Sequence, residues 1–349
     1  MSAPSNHYDT EIKNLIDSNW GDFGEVAHNK VGHLANKYVL FRRLSYFALV
    51  CLVVGGLLIT RGEEGSVLEL IGEYYGLSFG WLATLYIFGW ALGFFAVYIW
   101  YRWNEINKEF NQLLNPIVFK KAFSVIGFAG HYMTGESLPH DTSIVALLDH
   151  SELITENRNR YQIDDMVSGE SQGRSVFVAE LDVKNVTGSG KHKSTKNIFH
   201  GVLIAHDLPR ALTGKTFITT EGDRRGFGKI SLWRRLFKSQ ETPKETVLEW
   251  NDFENKLHVA TTNETEARYV LTPDLMQSLF DWWSIRKGKI RVSFIDNRMY
   301  VLYSDRHVKL GSTALSIKEK DLKKYILEVA RPLWHTKKLM ECTEVRFRE

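Results

Sequence analysis

Asp164 and Asp165 stand side by side and Glu180 follows fifteen residues later, the best acidic grouping in the chain. Paired carboxylates bind cations or exchange protons as acid and base. Neighbours in an extended chain point to opposite faces, so turn and cap roles are the simpler expectation for this pair. His200, Val202, Ile204 and His206 alternate as one face of a strand. Within a single strand the two histidines would stand ~20 Å apart, too far to share a metal ion. Glu266 and Arg268, in extended chain, lie on one face and form an ion pair or a small anion site. Asp164, Asp165, Glu180, His200 and Arg268 are therefore the side chains from which a dispersed site would be assembled. No residue is assigned as catalytic.

Short motifs carry less than their letters suggest. Gly214-Lys215-Thr216 matches the end of a phosphate-binding loop, but Pro209 occupies the place of that loop's first glycine. Such a loop also opens a helix, whereas Phe217-Ile218-Thr219 reads as a strand, so a tight turn entering a strand is expected. Gly188-Ser189-Gly190-Lys191 is followed by His192 and reads as a flexible loop. The 12 histidines include no HExxH pair, and no serine stands in a G-x-S-x-G elbow. The 2 cysteines, Cys51 and Cys342, cannot build a disulfide framework or a metal cluster, which fits a reducing compartment. Neither a metal nor a cofactor is expected.

The most informative charge feature is Arg224, Arg225, Lys229, Arg234, Arg235 and Lys238, six positive charges without an acid between them. Ile230, Trp233 and Phe237 recur among them at helical spacing. Basic residues close to an anionic bilayer gain ~1 kcal/mol each, and Trp233 and Phe237 are of the kind that insert. This segment is the lipid-contact candidate, with a solvated connecting loop as the plain alternative. Nucleic acid is disfavoured, because no recognition fold accompanies the charge.

These residues need elements to hold them. The chain has 349 residues, a formal net charge of +3, 44% apolar and 24% charged residues, values of an ordinary globular protein. Leu44–Thr60 runs 17 residues without charge and Tyr74–Tyr101 runs 28. A spanning helix takes roughly 20 apolar residues, so two transmembrane helices are expected, over 44–60 and 79–101. Lys30, Lys37, Arg42 and Arg43 precede the first, and Arg102, Lys108, Lys120 and Lys121 follow the second. The loop between has Arg61 against four glutamates. The positive-inside rule then puts both termini in the cytoplasm of a multi-pass inner-membrane protein.

Around that hairpin, residues 1–43 form a cytoplasmic arm. Ile12, Leu15, Ile16 and Trp20 have the spacing of a short amphipathic helix, packed on the domain or laid on the bilayer. Residues 102–130 form a helical stalk, with a kink or new start at Pro116. Residues 131–310 form an α+β domain with a mixed or antiparallel sheet, and the charged stretch 222–245 is its natural seam. Strands are expected at Ile144–Leu148, Ser175–Val183, Ile198–Ala205, Thr216–Thr219, Val247–Trp250 and Lys256–Ala260. A helix follows over Pro273–Trp283, with Thr272 as its N-cap. Ile290–Ile295 and Met299–Tyr303 make a hairpin about Asp296-Asn297. A helix near Ile317–Ala330 and a basic tail complete 311–349.

Two segments resemble a known family. They are Phe199-His200-Gly201-Val202-Leu203-Ile204 with Leu208 and Gly214-Lys215-Thr216, and Phe253-Glu254-Asn255-Lys256-Leu257 through Glu266–Pro273 to Val292-Ser293-Phe294 and Met299-Tyr300-Val301. With the stretch from Tyr161 through Gly169 to Glu180, they resemble a bacterial two-span membrane-anchored family of unknown function, sometimes labelled galanin. The resemblance covers roughly residues 100–305 and implies an anchored domain, without an activity or catalytic residues. Gene neighbours of the LemA type imply a membrane-protein partner. The expected function is a non-enzymatic interaction or scaffold module facing the cytoplasm. The alternative is a membrane-tethered enzyme or small-ligand sensor whose site is built from the dispersed residues above.

Overall fold

The computed structural model describes residues 5–59, 61–62, 65–66, 79–134, 142–171, 173–220, 243–246, 248, 250–286, 289–304, 310 and 316–345. The basic segment from Arg224 to Lys238, with all eight lipid-contact candidates, lies outside the described residues, as does most of the 222–245 seam. The chain divides into two compact units. One comprises residues 1–21, 118–312 and 323–349, and the other residues 22–117 and 313–322.

In the second unit, α1 (Ser5–Ser18) of the other unit gives way to α2 (Phe23–Ile59), the short pair β1 (Arg61–Gly62) and β2 (Gly65–Ser66), and the start of α3 (Phe79–Ile126). Ala48, Ala96 and Ile99 are buried against Phe41 and Leu44. Tyr38 stacks on Phe110 with ring centroids 4.2 Å apart. Phe47, Leu49, Val50, Ile87, Phe94 and Trp100 are exposed.

Among the described residues, no helix is long and apolar enough to cross a membrane. This overturns the expected transmembrane hairpin, and with it the multi-pass inner-membrane placement and the integral lipid contact. In α2 the uncharged stretch after Arg43 ends with the helix at Ile59, short of the roughly 20 apolar residues a span needs. In α3 the uncharged part, from Phe79, gives way at Arg102 to a charged half that runs on to Ile126. The stretch continues through Pro116 to Ile126 as one helix, with no break at the stalk.

The first unit is α+β. Among the described residues, nine strands form one antiparallel sheet in the order β3-β4-β5-β6-β11-β10-β7-β9-β8. They are β3 (Ala129–Thr134), β4 (Arg160–Ser171), β5 (Arg174–Thr187), β6 (Ser194–Asp207), β7 (Thr216–Thr220), β8 (Lys244–Glu245), β9 (Leu257–Thr261), β10 (Lys289–Ile295) and β11 (Arg298–Ser304). The strands on either side of the expected seam, β7 and β9, pair directly. The helices are α4 (Thr142–His150), α5 (Asn251–Glu254), α6 (Glu264–Val270), α7 (Pro273–Arg286) and α8 (Glu319–Val345).

Three expected elements differ. The strand expected at Val247–Trp250 is absent at its described residues, Leu248 and Trp250, and the neighbouring strand is Lys244–Glu245. Ile144–Leu148 is helix rather than strand, because Ile144 and Leu148, one helical turn apart, both reach the core beneath the sheet. Glu266 and Arg268 lie in α6 rather than in extended chain, so they do not share a strand face. Arg268 instead pairs with Glu264 one turn back, at 3.0 Å. Thr272 caps α7 as its sequence predicts, its Oγ1 accepting from the Leu275 N–H at 3.2 Å. The tail after Ala330 continues as helix α8 through Pro332.

Helix α1 packs on this unit. Ile12 and Ile16 are buried, and Asp9 accepts two hydrogen bonds of 2.8 Å from the Arg331 guanidinium. Asp17 pairs with Lys323 at 2.7 Å, and the same ammonium lies 5.0 Å from the Trp20 ring.

Candidate functional site

Sheet register gathers the acidic candidates. Ile163 faces Leu181 and Met166 faces Ala179, so Asp164 and Asp165 together oppose Glu180 across a β-bulge. The bulge turns Asp165 to the Glu180 face, where the Tyr132 hydroxyl donates to its Oδ1. Asp164 accepts from Gln162 Nε2 at 2.9 Å. Glu180 is 2% exposed, and its Oε2 accepts the Leu310 N–H at 2.9 Å. The Tyr325 phenol is pushed well above its usual value, first by burial and then by Tyr132, Asp165, Glu328 and Glu180. Glu180 therefore sits inside the fold and ties down backbone, while Asp164 and Asp165 are half-buried and accept from side chains.

The remaining candidates lie apart from it or beside it. His200 faces Asp182 on the adjoining strand, and Asp182 pairs with Lys184 at 2.5 Å. Arg268 follows β9, six strands along the sheet from β4, a separation of roughly 29 Å at ordinary strand spacing. Among the described residues, no group of three or more His, Cys, Asp or Glu is placed to share a metal ion. The Gly214-Lys215-Thr216 turn enters β7 as its sequence predicts. Its amides are occupied by a carboxylate: Glu266 accepts from the Gly214 N–H at 2.6 Å and the Thr213 N–H at 3.0 Å.

The opposite face of the sheet is open at one end. His131, Ser168, Phe177, Ala205 and Tyr300 form an unbroken register row across β3, β4, β5, β6 and β11. One row deeper, Met166, Ala179, Leu203 and Leu302 are core. One row outward, Glu170 faces Ser175 and Asp207 faces Arg298. This row change from apolar to polar defines the edge of a trough of about 830 Å³. Four strand spacings make it roughly 19 Å long. Leu147 of α4, Phe123 of α3, and Phe128 supply apolar walls, and Lys120 and His131 stand at one end. Gly130 and Gly169 let the Phe128 ring lie on the β3–β4 pair. A Cβ at Gly130 would stand 2.7 Å from that ring, and one at Gly169 would stand 2.4 Å from the Ala129 oxygen.

Beside the trough runs a chain of polar contacts. Arg298 Nε donates to Asp207 Oδ1 at 2.6 Å, and its guanidinium also hydrogen-bonds the Tyr300 hydroxyl. That hydroxyl lies 2.8 Å from His150 Nδ1, and His150 Nε2 lies 3.1 Å from Asp296 Oδ2. Burial raises the Tyr300 phenol above its usual value, against the lowering effect of Arg298, so it stays protonated. Asp296 takes φ 52° in the hairpin turn, a conformation asparagine and aspartate tolerate. Its carbonyl accepts the Leu212 N–H at 2.8 Å, and that of Asn297 the Leu208 N–H at 2.7 Å. Next to Asp207, His206 is buried and held neutral, its imidazole lowered to about 4 chiefly by desolvation.

His150, Asp207, Asp296, Arg298 and Tyr300 carry no signal in spacing, because they come from three separate stretches of chain. The one local hint is the alternation of Arg298 and Tyr300 on a strand that also carries Met299, Val301 and Leu302.

Fold and trough together define an α+β domain with a ligand-sized concavity at one sheet end. Residues 197–331 match a family described as a protein of unknown function, DUF3137. The match speaks to unknown function, and neither anchoring nor a galanin label comes with it. No curated protein shows significant similarity to the chain. Among solved structures, the chain is similar at 11% identity to the mycobacterial trehalose monomycolate transport factor A, TtfA, with a TM-score of 0.30. The alignment covers 65% of this chain and 95% of that one. A superposition that weak carries neither fold nor function across.

Proposed function

We propose that the α+β unit is a non-enzymatic binding module and that the trough at its sheet end receives the ligand. The observation that carries this is the trough itself. Its volume of about 830 Å³ falls in the range of small-molecule sites, roughly 300–1,000 Å³. An apolar floor of Phe177 and Ala205 supplies burial, and the rim polar groups orient what enters. The strongest acid–base groups nearby are engaged with one another, Arg298 with Asp207 and His150 with Asp296, which favours holding over turnover.

The test is a titration of the isotope-labelled full chain with a library of small apolar-polar fragments. Shifts concentrated on the Leu147 and Ala205 methyls support the reading. Binding confined to other surfaces, or none, sinks it. An enzyme reading is favoured by one observation: His131 and Ser168 are direct cross-strand neighbours at the trough, a pairing from which a base and a nucleophile are made. Hydrolysis of acyl-ester probes by the full chain, abolished by Ser168→Ala, would replace the binding module with that enzyme.

A further inference from the structure

We infer that the trough takes an amphiphile with an extended apolar chain and a zwitterionic head, an ammonium and an acidic group together. This rests on the trough being the binding site. Its lining carries two charges of each sign, Lys120 and Arg298 against Glu170 and Asp207. Arg298 and Asp207 answer each other at 2.6 Å, at the β6–β11 end. Lys120 and Glu170 do not: both are exposed, and among the described residues neither takes a hydrogen bond or an ion pair. Lys120 shares one face of α3 with Phe123 and Ser124, at i, i+3 and i+4. Glu170 stands on β4, opposite Ala129 of β3. One uncompensated cation and one uncompensated anion therefore meet at the β3–β4 end.

Beyond the His131–Ser168 pair the row continues through Phe177 and Ala205, with Leu147 as a wall. An apolar chain laid along it leaves water for apolar surface, and its head stays at the β3–β4 end. There the head displaces water from Lys120 and Glu170. A neutral head leaves both charges less solvated and without a new partner. A singly charged head answers one of them and faces the other with like charge. A head with both signs answers each, its ammonium at Glu170 and its acidic oxygens at Lys120. The Ser168 hydroxyl and the His131 ring N–H are further donors for those oxygens.

Octyl probes that differ only in the head test this on the isotope-labelled full chain: octylphosphocholine, octyl sulfate, octyltrimethylammonium and octyl glucoside, each below its micellar concentration. Affinity is read at the Leu147 and Ala205 methyls, so binding to other apolar faces does not count. Octylphosphocholine is expected to bind about two- to fivefold more tightly than the others, the scale of an exposed ion pair. Glu170→Gln is expected to make octyl sulfate the tightest, and Lys120→Gln octyltrimethylammonium. Phenylalanine, a zwitterion too short to fill the row, is expected to bind at least about tenfold more weakly than octylphosphocholine. Equal binding by phenylalanine would assign the site to a free amino acid and overturn the extended chain. Equal affinities across the octyl probes, or a ranking that neither substitution alters, overturns the inference and leaves the trough a binding site. Silence at both methyls with every probe removes the trough itself, and the inference with it.

Discussion

Glu180 and Glu170 lie ten residues apart on adjacent strands of one hairpin, yet they face opposite sides of the sheet. Glu180 points into the interior and holds the Leu310 amide. Glu170 points into the trough rim and takes no hydrogen bond or ion pair among the described residues. Glu266 falls between them, half-buried and accepting two backbone N–H groups at the Thr213–Gly214 turn. The same side chain thus fastens backbone where water is excluded and stays available where it is not. Burial, rather than residue type, separates structure from site.

The comparison can be broken at its buried end first. Glu180→Ala leaves the Leu310 N–H unsatisfied and opens a cavity, and is expected to cost roughly 3 kcal/mol in denaturant unfolding. A loss under 1 kcal/mol would mean that the interior carboxylate is not fastening anything. His206, buried on the same face, gives an acid-side counterpart. Its imidazole is lowered from about 6.5 to about 4 in the folded state, so the unfolded chain binds the extra proton first. Stability therefore falls as pH drops from about 6.5 to 4, by roughly 3 kcal/mol from this group. His206→Gln is expected to flatten that slope, and an unchanged slope would remove His206 from the buried set.

Smaller effects sharpen the other end. Glu266→Ala frees two turn amides to partial solvent and is expected to cost roughly 1–2 kcal/mol. Loss of stability equal to that of Glu180→Ala would show that backbone fastening, not burial, sets the scale. Glu170→Gln is expected to change stability by less than about 0.5 kcal/mol. Its effect should appear instead in the fragment titration, as altered shifts at the trough. A stability loss there would return Glu170 to the structural group.

Much of the frame was readable from local pattern. Alternation marked β5, β6 and β7, and Asp296-Asn297 marked the β10–β11 hairpin, because strand period and turn chemistry are properties of a few neighbouring residues. Thr272 and Pro273 marked the start of α7 for the same reason. Ile144–Leu148 misled, since a short apolar run has no period and only the core it covers makes it a helix. The long apolar runs also misled, because length without charge was read as a span, and among the described residues the helices do not meet that requirement.

The sequence by itself determined several of the stretches that extend, where some of them turn, and that Asp164, Asp165 and Glu180 are the notable acidic grouping. Tertiary structure alone decided what those acids do. A single bulge, a matter of register between two strands, brought them to one point and buried Glu180 there. It also decided the trough and the polar chain beside it, whose His150, Asp207, Arg298 and Tyr300 are separated by up to 150 residues and meet only through the fold. Local propensity acts over a few residues, and register and burial are set by the whole sheet, so the elements can be read from the chain and the site cannot.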